Sequence, residues 1–220
     1  MSPPPALLSD DSLELRGLLA ELGRRYHAAG WLMGTSGNLS ARLPVTDRDP
    51  GERVLVTASG RHKGRLGTGD FVIVDLDGAV VAAGPNARPS AETSLHTAVY
   101  RRVPEATVAL HVHTVASTLL APDLPGDSGA VGHAEFRDIE MIKGLDLWRS
   151  DARAALPLFA NHAHVPDIAA DVERYYARER DVPSFVIRGH GITAWGDSPF
   201  TADRHLEVTE FLCRVALARR

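Results

Sequence analysis

His111 and His113 stand two residues apart in the run TVALHVHT (107–114), and their spacing is the sharpest chemical feature of the chain. Strand side chains alternate faces, so the two imidazoles leave one face while Leu110 and Val112 enter a core from the other. Two nitrogens a few ångströms apart are half of a tetrahedral or trigonal zinc site. A third ligand has to come from elsewhere, and His190 is the best candidate. The glycines on either side of it let the backbone approach closely at a strand end and leave the ring unobstructed. The competing reading is a pair of core histidines satisfied by hydrogen bonds. Of the ten histidines, the others carry weaker signals. His162 and His164 repeat the spacing in a polar, irregular stretch that reads as surface, and His205 reads as a helix-surface residue.

Two glycine-rich turns could bind an anion. Gly34-Thr35-Ser36-Gly37-Asn38 and Thr57-Ala58-Ser59-Gly60 offer backbone N–H groups and hydroxyls, as a phosphate site requires. Arg61, His62 and Lys63 follow the second turn and add positive charge. Many Gly/Ser turns only turn, so neither segment alone identifies a ligand. Two carboxylates are candidates for proton transfer. Glu92, in Pro89-Ser90-Ala91-Glu92, falls in the first turn of a predicted helix, where a capping glutamate would look the same. Glu140 is a charge inside the apolar segment IEMIKG, either solvent-facing or held for a purpose.

The elements that must position these groups can be read from periodicity and punctuation. A helix starts near Ser9 or Asp11, with Asp11 and Glu14 spaced as a capping box. Its apolar positions are Leu15, Leu18, Leu19, Leu22 and Tyr26, and Gly30 stops it. Strands follow at about 39–43, 54–57, 71–75 and 79–82, the last two joined by the hairpin signal Asp77-Gly78. Ser90 is expected to cap a helix running to about Tyr100, and Thr107–His113 reads as a buried strand. The stretch 123–160 reads as irregular. A helix near 166–180 leads to strands at 185–188 and 192–195. Ser198 and Pro199 open a last helix whose buried stripe is Val208, Phe211, Leu212 and Val215. Helices mixed with hairpin-paired strands predict an α/β sandwich around a mostly antiparallel sheet. The expected organisation is a disordered Pro-rich tail, 1–8, and a single domain, 9–220.

Bulk properties exclude several classes of function. The chain has 220 residues, 44% hydrophobic and 24% charged, enough for one well-buried core. A formal net charge of -4 provides no basic footprint for nucleic acid. No apolar run approaches the roughly 20 residues that span a bilayer. The N-terminus, MSPPPALLSDDS, lacks the pattern of a secretory signal. The single cysteine, Cys213, cannot form an internal disulfide, which fits a reducing cytoplasm.

Taken in order, GTSGNLS (34–40), TASGRHKG (57–64), PSAETSLHTAVY (89–100), HVHTVAST (111–118), EMIKGL (140–145), RGHGITAWG (188–196) and RHLEVTEFL (204–212) resemble the class II aldolase/adducin family over about residues 12–215. SGRHKG and EMIKG favour its dehydratase branch over the sugar-phosphate aldolases. The resemblance implies a three-layer α/β/α fold and a homotetramer with active sites at subunit interfaces. It implies a phosphorylated ketose as substrate and a single Zn2+ per subunit on His111, His113 and His190. The substrate phosphate is expected against Thr35–Asn38 and Thr57–Gly60, with Ser90 and Lys63 as further contacts. The implied reaction is dehydration of 5-methylthioribulose 1-phosphate in methionine salvage, by loss of the C3 proton and the C4 hydroxyl. Glu140 is the expected acid/base group, with Glu92 as a metal-shell residue, fourth ligand or alternative base. An aldolase or epimerase of the family would need a late acid such as a tyrosine, and only Tyr175 and Tyr176 fall late in the chain. A metal-free adducin-like interaction domain would be expected to have lost the histidines. The stretch Pro122–His133 departs from the family pattern, being longer and richer in Gly and Asp, and it raises His133 as an alternative site residue.

Overall fold

The computed structural model describes residues 10–46, 49–120, 131–179 and 181–219. The expected tail, 1–8, most of the Pro122–His133 stretch and the side chain of Asp11 lie outside the described residues. The centre of the fold is a sheet whose nine described strands are β1 (Asn38–Leu43), β2 (Arg53–Thr57), β3 (Phe71–Val74), β4 (Val80–Ala82), β5 (Val108–Val112), β6 (Gly132–Arg137), β7 (Arg153–Phe159), β8 (Ser184–Ile187) and β9 (Gly191–Gly196). Their spatial order is β4-β3-β2-β1-β5-β9-β8-β7-β6. Every pairing is antiparallel except β7 with β8, so the expected sheet type holds.

Among the described residues five α-helices cover the two faces: α1 (Asp10–Ala28), α2 (Thr93–Arg102), α3 (Val115–Leu119), α4 (Val165–Tyr176) and α5 (Pro199–Ala218). Leu110 and Val112 of β5 point into a core with Leu19 and Tyr26 of α1, Ala116 of α3 and Leu206 and Leu212 of α5. Ala109, one residue over, joins the opposite core with Leu95 and Val99 of α2, Val172 of α4, Phe185 and Trp195. The result is the three-layer α/β/α sandwich. Each large apolar side chain removed from water contributes about 1.5–3 kcal/mol, less the entropy of ordering it.

Register places the chemistry. Asn38 of β1 lies opposite His111 of β5, which lies opposite Thr193 of β9. The start of β1, the end of β2, the end of β5 and the start of β9 therefore meet at one end of the sheet.

Several local expectations are corrected. Ser90 does not cap α2, which begins at Thr93 with Glu92 in the N-cap position and no side-chain cap. Ser90 Oγ instead accepts the Glu92 N–H within the preceding turn. The stretch 123–160 contains β6, β7 and a 3-10 turn, Glu140–Leu145. His205 is buried at 4% exposure, with Nδ1 2.6 Å from the Trp195 carbonyl. It belongs to the inward stripe Ala202, His205, Leu206, Thr209, Leu212 and Cys213 of α5. Phe211 falls off that stripe and is 40% exposed. Ser198 does cap α5, its hydroxyl accepting the Thr201 N–H at 3.1 Å.

Candidate metal centre

His111 and His113 lie at the C-terminal end of β5, and His190 sits in the turn between β8 and β9. Gly189 takes φ +64° in that turn. A Cβ on Gly191 would collide with the Val112 carbonyl oxygen, so glycine alone lets β9 start close enough to bring His190 over β5. Glu92 approaches from the N-cap of α2. His111, His113, His190 and Glu92 thus each offer one ligand atom, all within 4.8 Å of one another. His111 Nε2 and His113 Nε2 are 3.0 Å apart. Glu92 Oε1 is 2.7 Å from His190 Nε2, 3.7 Å from His111 Nε2 and 3.8 Å from His113 Nε2.

The donor set fits a divalent cation. Burial, aided by the neighbouring His111 and His190, lowers His113 to about 3, so its ring is neutral at physiological pH. The Thr193 hydroxyl lies 2.9 Å from His111 Nδ1, placed to accept an Nδ1 proton and so to leave the Nε2 lone pair for a bound ion. Burial pushes the Glu92 carboxyl up, yet the charges and hydrogen bonds of His111 and His190 outweigh it and hold the group well below the carboxylate range. Ligands about 2.0–2.2 Å from a tetrahedral zinc ion stand about 3.3–3.6 Å apart, within the range of 2.7 to 3.8 Å that these separations span. Three imidazole nitrogens converging on one carboxylate oxygen are poorly matched to each other without a cation among them.

The expected site residues divide into two groups. His111, His113, His190 and Glu92 come together. So do the two glycine-rich turns, because β1 pairs with β2 at this end and the Leu39 N–H donates to Thr57 Oγ1 at 3.2 Å. Buried Lys63 ties the turns, its Nζ donating to the carbonyls of Thr35 at 2.9 Å and Arg61 at 3.0 Å. Burial lowers Lys63 to about 8 against the pull of Glu92. Thr35, Ser36, Ser59 and Gly60 remain accessible in part, and Gly37 and Gly60 take φ +65° and +73°. Asn38 and Thr57 are turned inward. The Asn38 amide donates to Glu92 Oε2 at 2.5 Å and to Ser90 Oγ at 3.0 Å.

Glu140 is not part of this cluster. Its side chain is 83% exposed and paired with Lys143 at 2.7 Å. His133 bonds the Tyr175 hydroxyl at 3.0 Å, and Tyr176 is buried with its hydroxyl on the Ser184 carbonyl. Among the described residues, then, neither Glu140 nor His133 belongs to the cluster of ligand atoms.

Sequence reading missed Thr193 and Glu210. Buried Glu210 accepts a hydrogen bond from Thr114 Oγ1 at 2.5 Å and so anchors the residue after His113. No motif marks either one. Thr193 becomes visible only once β5 is paired with β9, and Glu210 only once α5 is docked.

The family model described as "Class II Aldolase and Adducin N-terminal domain" matches residues 17–217. A methylthioribulose-1-phosphate dehydratase of Leptospira biflexa serovar Patoc is 38% identical over 205 residues, covering 92% of this chain and 95% of its own. One of the same name from Exiguobacterium sibiricum is 42% identical over 199 residues, covering 90% and 89%. The fold is shared with the L-fuculose-1-phosphate aldolase structure from Thermus thermophilus, with TM-score 0.70, 23% identity and 94% of each chain covered. A family match over nearly the whole chain, with the histidine spacing realised as a convergent cluster, establishes that the chain belongs to the class II aldolase and adducin family.

Proposed function

We propose that the chain is a zinc-dependent hydro-lyase that dehydrates 5-methylthioribulose 1-phosphate to 2,3-diketo-5-methylthiopentyl 1-phosphate in methionine salvage. The observation that carries the reading is the meeting of three histidines and a carboxylate beside two glycine-rich turns. Relatives bearing the dehydratase name over about nine-tenths of the chain support the substrate.

His111, His113 and His190 would hold the ion, with Glu92 as fourth ligand or close neighbour; when bound, it supplies Lewis acidity that polarises the C2 carbonyl and acidifies the C3–H. Neutral imidazoles leave the ion's positive charge undiminished. The backbone N–H groups of Thr35, Gly37 and Gly60, the Thr35 and Ser59 hydroxyls and the Lys63 ammonium receive the phosphate, the N–H groups of Ser36 and Ser59 being donated to the carbonyls of Met33 and Arg88. Ser90 and Asn38 brace the carboxylate from behind rather than contacting the sugar. Glu140 stands outside the cluster of its own chain, so its acid/base role requires that it serve a neighbouring subunit's centre. In the homotetramer of this reading, a carboxylate from the next chain takes the C3 proton and returns it to the departing C4 hydroxyl. The enol then tautomerises to the diketone. The reading assigns the enzyme to a reducing cytoplasm, where buried Cys213 stays a thiol.

The test is turnover of 5-methylthioribulose 1-phosphate by zinc-loaded protein, read by mass spectrometry. A product lighter by one water is expected. Cleavage into dihydroxyacetone phosphate and an aldehyde would instead assign an aldolase.

A further inference from the structure

Behind Glu92 and the Asn38 that braces it runs a file of buried polar side chains, His96, Ser40 and Tyr100, that none of the steps above uses. The Asn38 amide nitrogen donates to Glu92 Oε2 at 2.5 Å. Its carbonyl oxygen Oδ1 is hydrogen-bonded to His96 Nε2. His96 Nδ1 lies 2.7 Å from Ser40 Oγ, and Ser40 Oγ lies 2.7 Å from the Tyr100 hydroxyl. His96 and Ser40 are fully buried and Asn38 and Tyr100 nearly so.

The donors and acceptors of this file can be ordered in only one satisfactory way. Asn38 must turn its NH2 to the carboxylate, because its oxygen there would face a negative charge. Its Oδ1 then needs a donor, so His96 carries its proton on Nε2. Nδ1 is left as an acceptor and takes the Ser40 proton. Ser40 in turn accepts from Tyr100. Burial and the nearby His111 lower His96 to about 3, so the ring is neutral, as this order requires. Each member has a partner, and the four bonds of the file point toward Glu92, with side contacts from Ser40 Oγ to the Ala109 carbonyl at 3.4 Å and from the Asn38 amide to Ser90 Oγ at 3.0 Å.

We propose that His96 is a positioning residue for the metal centre: by fixing the Asn38 amide it anchors Glu92 Oε2 and holds Oε1 toward the three histidines. Glu92, at the N-cap of α2, and His96 are one helical turn apart, while Asn38 and Ser40 are alternate residues on the same face of β1. One helix and one strand therefore lock the carboxylate from two sides. The inference rests on the proposed metal-dependent reading in one respect, that Glu92 faces a bound ion.

The experiment is a zinc-affinity titration of the protein against a chromogenic chelator, for the parent, His96→Leu and His96→Gln, with folding checked by thermal melts. Gln places an amide NH2 where Nε2–H stood, and Leu places nothing. Loss of a second-layer hydrogen bond of this kind weakens metal binding about 10–100-fold. We expect that loss in His96→Leu and recovery of most of it in His96→Gln. A folded His96→Leu with parental zinc affinity overturns the inference, as does a His96→Gln no better than His96→Leu.

A measurement on the unaltered zinc-loaded protein covers the case in which His96→Leu does not fold. Nitrogen-15 NMR of labelled histidine should find His96 as the neutral Nε2–H tautomer, with a proton slow to exchange. The Nδ1–H tautomer would overturn the inference. A parent that binds zinc but leaves 5-methylthioribulose 1-phosphate unchanged would remove the proposed activity alone, the His96 inference still being decided by the affinities.

Discussion

At the scale of single residues, two side chains outside the histidine triad carry the sharpest consequences. Lys63 has an ordinary value of 10.5 and is lowered by burial to about 8. Its ammonium is therefore present at pH 7 and lost as pH rises through about 8. If it receives the phosphate, KM should climb above pH 8, and Lys63→Met should raise KM about 10–100-fold at pH 7 and flatten its pH dependence. The sign for stability is the reverse. Between pH 8 and 10.5 the unfolded chain keeps a proton the folded chain has lost, so this lysine's contribution to stability grows across that window. The Thr193 hydroxyl faces His111 Nδ1 from the neighbouring strand. Thr193→Val should weaken zinc binding by about tenfold or more, read by chelator competition, with little change in melting temperature. The histidines themselves were legible in the sequence because two lie on one strand face and the third is framed by glycines. Thr193 was not, because its relation to His111 exists only through the β5–β9 register.

At the scale of elements, the close approach of β9 to β5 decides whether the centre forms. Gly191→Ala would set a methyl against the Val112 carbonyl oxygen and push the turn carrying His190 away. A destabilisation on the order of 1–3 kcal/mol is expected, together with loss of bound zinc. Ser198→Ala removes a cap far along the chain, at the start of α5, and should cost about 1 kcal/mol, lowering the melting temperature by about 2–4 °C while leaving metal content unchanged. The contrast separates damage to the site from damage to the fold. The elements with strong local signals were readable: α5 through its Ser-Pro start, and β5 through its apolar run. The β6–β7 pair was not, because β6 has an exposed, alternating pattern and β7 carries Pro157 and pairs in parallel with β8. The displaced start of α2 was missed for a subtler reason. Ser90 has the right side chain for a cap, but its hydroxyl is spent inside the preceding turn.

At the scale of the molecule, the exposed Glu140 stands outside the histidine cluster of its own chain, and the proposed mechanism joins them across a subunit interface. Glu140→Gln and His113→Ala should each be inactive alone. Mixed and reassembled, they should recover activity, up to about a quarter of the parent's if each centre pairs one chain's histidines with the next chain's Glu140. Failure to recover any activity, with mixed oligomers demonstrated, would return the acid/base role to Glu92. An α/β sandwich around a mostly antiparallel sheet was foreseeable from mixed strand and helix patterns, and its three layers from the family resemblance, whereas nothing in any local segment encodes how two copies meet.

The claim on which the rest depends is that His111, His113, His190 and Glu92 hold a metal ion. The measurement that addresses it most directly is elemental analysis of the purified parent and of His113→Ala. The account predicts close to one zinc ion per chain in the parent and little or none in the folded variant. A parent free of divalent metal, or a variant that keeps its zinc, would contradict it.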